Sequence, residues 1–154
     1  MTDWNAFHAT SDRLDTSFDF FTPLNGSGPQ DVLPLQVVTS GDRASEFIAQ
    51  RNAGGDYSEG YYLHGFSVQT AEGAAEYVNR LVRAELGIAE PRGLRFSWGY
   101  PACPDIEQHE TLFRILPVER EIGVSLTSAF QLDPEQSTAA LVVHHPAAKY
   151  FSAG

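Results

Sequence analysis

Apolar and polar positions along the chain follow two periods. From Tyr57 to Leu86, Tyr61, His64, Val68, Ala71, Ala75, Val78 and Val82 recur at steps of three and four residues, which is one face of a long helix. Gly65 and Gly73 lie inside this pattern. Glycine costs about 1 kcal/mol relative to alanine in a helix, so its use predicts close approach by another element or a ligand. Glu72, Glu76 and Arg80 form a four-residue row beside the stripe, and Gly87 closes the helix.

Elsewhere the pattern shortens. Val32–Val38 reads as a strand, with Pro34 placing it at an edge or near its start. Leu94, Phe96 and Trp98 alternate with Arg95 and Ser97, the period of a strand with one buried face. Ile122, Val124 and Leu126 alternate, as do Phe130 and Leu132, and Ala139–Val143 reads as a buried strand. Two short helices lie between. One starts at an N-cap on Ser40, carries Ala44, Phe47 and Ile48 on one face, and stops at Asn52–Gly55. The other is capped by Asp105, buries Ile106, His109, Leu112, Phe113 and Leu116, and ends at Pro117.

Residues 1–16 are polar and weakly patterned and read as a loose arm. Residues 17–154 read as one module, opened by an apolar cluster of Phe18, Phe20 and Phe21 and a turn at Asn25–Pro29. Strands grouped near residues 122–144 predict an antiparallel sheet with helices beside it, an α+β class. No regular strand–helix alternation and no glycine-rich dinucleotide fingerprint is present.

Composition narrows the function. The chain has 154 residues, 42% of them hydrophobic, enough for a domain with its own core. Twenty acidic against ten basic residues give a net charge of −10, which argues against nucleic acid and anionic membranes as partners. No apolar run approaches the roughly 18 residues of a membrane span, and the first residues carry no signal-peptide pattern. A lone cysteine forms no internal disulfide and fits a cytoplasmic setting.

Candidate chemistry gathers at Arg95–Pro104. Gly99 admits backbone angles closed to other residues, and Pro101 and Pro104 fix φ. The loop after the strand is therefore rigid, suited to a small polar ligand or to a simple tight turn. Arg95 points away from the Leu94/Phe96/Trp98 face. It is either a surface arginine or a bidentate partner for a carboxylate. Glu72 is either part of a solvated helix face or an acceptor for a ligand's ammonium or hydroxyls. Tyr150 and Phe151 either stack on a purine or close the core. Cys103 with His144 or His145 offers a nucleophile–base pair or a metal site, against packing of a small side chain. Adjacent strand histidines point to opposite faces, which disfavours one shared ion.

Arg95-x-x-x-Gly99-Tyr100-Pro101-Ala102-Cys103-Pro104 resembles the S-adenosylmethionine-binding signature of the activation domain of cobalamin-dependent methionine synthase. Tyr62–Tyr77, Ile122–Phe130, Pro134–Ser137 and His145–Phe151 resemble further segments of that family, in the same order. The resemblance implies an α+β, C-shaped domain around a bent antiparallel sheet. It implies S-adenosylmethionine as ligand, met by Glu72, Arg95, Gly99, Tyr100, Pro101, Ala102, Cys103, Tyr150 and Phe151, with Arg95 on the methionine carboxylate and no catalytic side chain. Phe151 replaces a tyrosine of some members and lacks its hydroxyl. It also implies a partner domain carrying cobalamin, an electron from flavodoxin or a reductase, and a role in reductive methylation of cob(II)alamin. In the family an earlier aspartate binds the ligand's amino group; Asp3, Asp12, Asp15 and Asp19 are its candidates here. The chain is then a fragment or a shortened stand-alone relative, and not catalytically complete alone. The alternative is an interaction module that keeps the fold but not the ligand site.

Overall fold

The long periodic segment forms the longest helix of the computed structural model, which describes residues 32–89, 92–145 and 148. In chain order the elements are β1 (Leu35–Thr39), α1 (Asp42–Ala53), α2 (Tyr57–Glu85), β2 (Leu94–Ser97), α3 (Gln108–Ile115), α4 (Val118–Ile122), β3 (Ser125–Leu126), β4 (Leu132–Asp133) and β5 (Ser137–Val143). Mixed helices and small antiparallel sheets make this an α+β fold. The predicted arm, the Phe18 cluster and the Asn25–Pro29 turn lie outside the described residues.

Helix α2 starts where Asp56 accepts a hydrogen bond from the Glu59 amide at 3.2 Å, which satisfies one of the orphan donors of the first turn. It ends where the Gly87 and Ile88 amides return to the Ala84 and Arg83 carbonyls. Its inward seam is Gly60, Ser67, Ala71, Ala75 and Asn79. These residues are small or polar, so a reading by hydrophobicity misses part of the seam. Tyr61, expected on the buried stripe, is instead 74% exposed. At Gly65 and Gly73 no described element makes the expected close approach, since a Cβ built at either meets nothing within 4 Å. The close approach occurs at Gly60, against the Asn52 side chain of α1.

Helix α1 starts one residue later than Ser40 would set it. Gly41, with φ of 80°, is its N-cap, a backbone angle that only glycine adopts without strain. Ser40 instead donates to the Ser67 carbonyl at 2.6 Å and ties the loop to α2. Phe47 of α1 is 43% exposed rather than buried, its ring under the Arg51 guanidinium at 4.8 Å.

Strand β5 sits at the centre of a three-stranded sheet of order β1-β5-β2, both pairs antiparallel. Leu35 faces Leu141, and Leu94 faces Val143. Pro34 precedes edge strand β1, where its missing amide breaks no ladder. The strands expected together near residues 122–144 divide differently. Only β3 and β4 form a small pair there, while β5 joins strands from early in the chain. Ile122 ends a helix, because Val118–Ile122 follows Pro117 as α4. Phe130 occupies a turn with φ of 59° rather than a strand.

Alternation gives the sheet two unlike faces. Leu35, Val37, Leu94, Phe96, Ala139, Leu141 and Val143 point to one side, where they pack with Trp98, Ala102, Cys103 and Leu112. The predicted apolar face of α3 closes this core: His109 and Leu112 are buried, with Ile106, Phe113 and Leu116 half-buried. The other side carries Gln36, Thr138, Ala140, Val142 and Arg95, and α2 packs over it.

Candidate functional site

Arg95 is the second residue of edge strand β2, and its parity sends it toward α2. There its Nη2 donates to Glu72 Oε2 at 2.5 Å, and its Nη1 donates to Thr138 Oγ1 on β5 at 3.4 Å. The guanidinium side chain is only 15% exposed, while Glu72 is 42% exposed. A cation is thus held at a boundary, its planar fork oriented by a strand hydroxyl and a helix carboxylate. Asn79 anchors the same region by donating to the Gly93 carbonyl, just before β2, at 3.1 Å.

Strand β2 runs directly into the turn at Gly99–Cys103. The Gly99 amide donates to the Cys103 carbonyl, and the Cys103 amide to the Tyr100 carbonyl, each at 2.8 Å. Gly99 has φ of 84°, so a side chain there would strain the turn. The turn is pinned from below. Trp98 Nε1 donates to Gln108 Oε1 at 3.1 Å, and the Trp98 and His109 rings meet edge to face at 5.4 Å. His109 in turn is tied through Nδ1 to the Phe130 carbonyl at 2.8 Å. Burial lowers the His109 pKa below the ordinary histidine value, against the opposing pull of that carbonyl.

The structure therefore brings together Glu72 and Arg95, and places Gly99, Tyr100, Pro101, Ala102 and Cys103 in one turn four residues further along the same strand. Tyr100 is 67% exposed, with Gly99 and Pro101 also at the surface. Ala102 and Cys103 are buried. The main chain of Cys103 closes the turn on both sides, and its side chain belongs to the apolar core. A nucleophilic role for this thiol is disfavoured by that burial. Among the described residues no group of three or more His, Cys, Asp and Glu side chains is arranged to hold a metal ion. Tyr150, Phe151, Asp3, Asp12, Asp15 and Asp19 lie outside the described residues. Thr138 is the contact that sequence reasoning missed. Its only signal is the β2–β5 register, in which Arg95 faces Val142, and no local pattern reveals that pairing.

A buried-root arginine paired with a helix carboxylate, beside a glycine–proline turn, is the charged centre of this α+β module among the described residues. Comparison with known proteins gives the family. The family described as "Vitamin B12 dependent methionine synthase, activation domain" matches residues 7–154, and this chain belongs to it. Methionine synthase of Mycobacterium leprae (strain TN) is 40% identical over 79% of this chain. Methionine synthase of Mycobacterium tuberculosis (strain ATCC 25618 / H37Rv) is 41% identical over 81%. The chain spans 12% of the length of each of these relatives. Among solved structures, the MetH reactivation domain bound to AdoHcy superposes with a TM-score of 0.78 at 28% identity, covering 88% of this chain and 46% of that one.

Proposed function

We propose that this chain is an S-adenosylmethionine-binding module that supports reductive reactivation of cobalamin in a cobalamin-dependent methionine synthase. The observation that carries the reading is the Arg95–Glu72 pair beside the Gly99–Cys103 turn, in a chain of this family. The amino-acid end of the ligand is a zwitterion. Its carboxylate matches the Arg95 fork and its ammonium matches Glu72, so the ligand exchanges one internal ion pair for two. The exposed Tyr100 ring and the Gly99–Pro101 backbone border the path of the rest of the molecule. The solved relative carries AdoHcy, the product left when S-adenosylmethionine gives up its methyl group.

In this reading cobalamin belongs to a partner domain and supplies the nucleophile, after one electron from a flavodoxin or a reductase. The sulfonium of the ligand is already a good leaving group, so this chain needs no acid or base. Its residues hold the methyl donor in position, a contribution that removes much of the entropic part of a barrier. No helix of the described residues is long and apolar enough to cross a membrane; with the single cysteine, this supports a cytoplasmic assignment. Titration calorimetry with S-adenosylmethionine tests the proposal: heat of binding is expected from the unaltered chain, and silence at millimolar ligand overturns it.

A second reading rests on the same pair. Glu72 compensates the Arg95 charge from within the chain, as an interaction module that has lost the ligand would require. Binding of an isolated cobalamin domain that S-adenosylmethionine leaves unchanged would select this reading.

A further inference from the structure

Among the described residues, helix α2 has an outer face that no other element covers. At 3.6 residues per turn, Glu59, Tyr62, Phe66, Gly73, Tyr77 and Arg80 fall on one stripe, opposite the buried Gly60, Ser67, Ala71 and Ala75. Tyr62 and Phe66 are each 73% exposed, and Tyr77 is 62% exposed. The solvent side of a helix ordinarily carries polar residues, and a row of exposed aromatics marks an interaction surface. Gly73, in the middle of the row, has open space where a Cβ would stand, so no packing among the described residues requires it.

We propose that this stripe is the interface of a two-fold dimer, with α2 packed antiparallel against α2 of a second copy. The stripe is complementary to itself. A two-fold axis between Gln69 and Thr70 sets Phe66 opposite Gly73, Tyr62 opposite Tyr77 and Glu59 opposite Arg80. Each phenylalanine ring then fills the notch of a glycine, the tyrosines pair, and opposite charges meet at both ends. A parallel pairing would stack Phe66 on Phe66, leave Gly73 facing Gly73, and oppose like charges at positions 59 and 80. Volume and charge together select the antiparallel arrangement. The stripe from Glu59 to Arg80 is about 30 Å long at 1.5 Å per residue. Glu59 lies 3.3 Å from Arg51, and Arg80 lies 3.8 Å from Glu76, within their own chain. These surface pairs exchange readily, so the charged ends fix register while the aromatic centre supplies affinity. The net charge of −10 on each copy opposes association, and physiological salt, with a Debye length of about 8 Å, screens it.

Sedimentation equilibrium of the 154-residue chain at rising concentration tests the proposal. A reversible monomer–dimer equilibrium is expected. Phe66→Glu is expected to weaken it by about tenfold or more. Gly73→Leu is expected to do the same by filling the notch, while circular dichroism shows the helix retained, which separates lost docking from lost folding. Arg80→Glu is expected to weaken the dimer and Glu59→Arg added to it to restore it, a rescue that only a Glu59–Arg80 contact between copies produces. A chain that stays monomeric at every concentration overturns the proposal. So does a dimer indifferent to both Phe66→Glu and Gly73→Leu. A monomer whose capture by a cobalamin domain is weakened by Phe66→Glu also overturns it, and assigns the stripe to that domain instead.

Discussion

The two faces of the central sheet are built on opposite principles. One packs Phe96, Leu141 and Val143 against Trp98, Cys103 and Leu112, with no polar side chain needed at its centre. The other places Gln36, Thr138 and Arg95 beneath the long helix. That face holds polar groups in an interior setting, where each demands a partner. Arg95 has Glu72 and Thr138. Gln36 is 5% exposed, and neither of its amide atoms has a hydrogen-bond partner among the described residues. The lesson is a division of labour across a single layer of backbone. The apolar face supplies stability, and the helix-side face gives up some of it to hold a charged group in place, as the proposed ligand site requires.

This contrast can be broken by substitutions on each side. The largest effect is expected from Leu141→Ala, at a position with no exposed surface; it should lower unfolding free energy by about 2–5 kcal/mol in a denaturant titration. Arg95→Ala should leave that titration nearly unchanged, since Glu72 is left half in water, yet lose about 1.5–3 kcal/mol of S-adenosylmethionine affinity by calorimetry. If it unfolds the chain instead, the helix-side face is structural and the division fails. Gln36→Leu should raise stability by about 1 kcal/mol, because it removes two buried polar atoms that have no partner among the described residues; a loss would show that water reaches the amide. The smallest effect is expected on the apolar face, at His109. Its pKa is lowered in the folded state by burial. The folded protein therefore binds fewer protons than the unfolded chain below the ordinary histidine value of about 6.5. Stability should be flat above that pH and decline as pH falls toward the lowered value, and His109→Gln should remove this component of the slope.

Local physics made much of this legible. The long helix was readable to within a residue or two at Tyr57 and Glu85, since glycine-bounded three- and four-step periodicity leaves few alternatives. The Leu94–Trp98 alternation correctly separated buried Phe96 and Trp98 from Arg95. Failures arose where a distant contact overrode a local preference. Ser40 is a good N-cap by type, but Ser67 offers its hydroxyl a carbonyl and Gly41 takes the cap. Ile122 looked extended because the five-residue helix after Pro117 is too short for a helical period to register. The role of Thr138 and the placement of β5 depend on pairing across most of the chain, which no window of a few residues contains.

The central position of β5 also governs how the chain comes to exist. Its neighbours β1 and β2 are complete by Ser97, yet they touch each other only through a strand that begins at Ser137. The Ser137–Thr39 side-chain bond spans 98 residues of sequence. During synthesis from the N-terminus, helices α1 and α2 can pair early, while β1 and β2 wait with open edges for β5 to arrive. Closing such a span is entropically slow, and unpaired strand edges are the surfaces on which nascent chains associate wrongly. The order of translation thus makes β5 a lock among the described strands: before it emerges β1 and β2 have nothing between them, and the arginine site lacks Thr138.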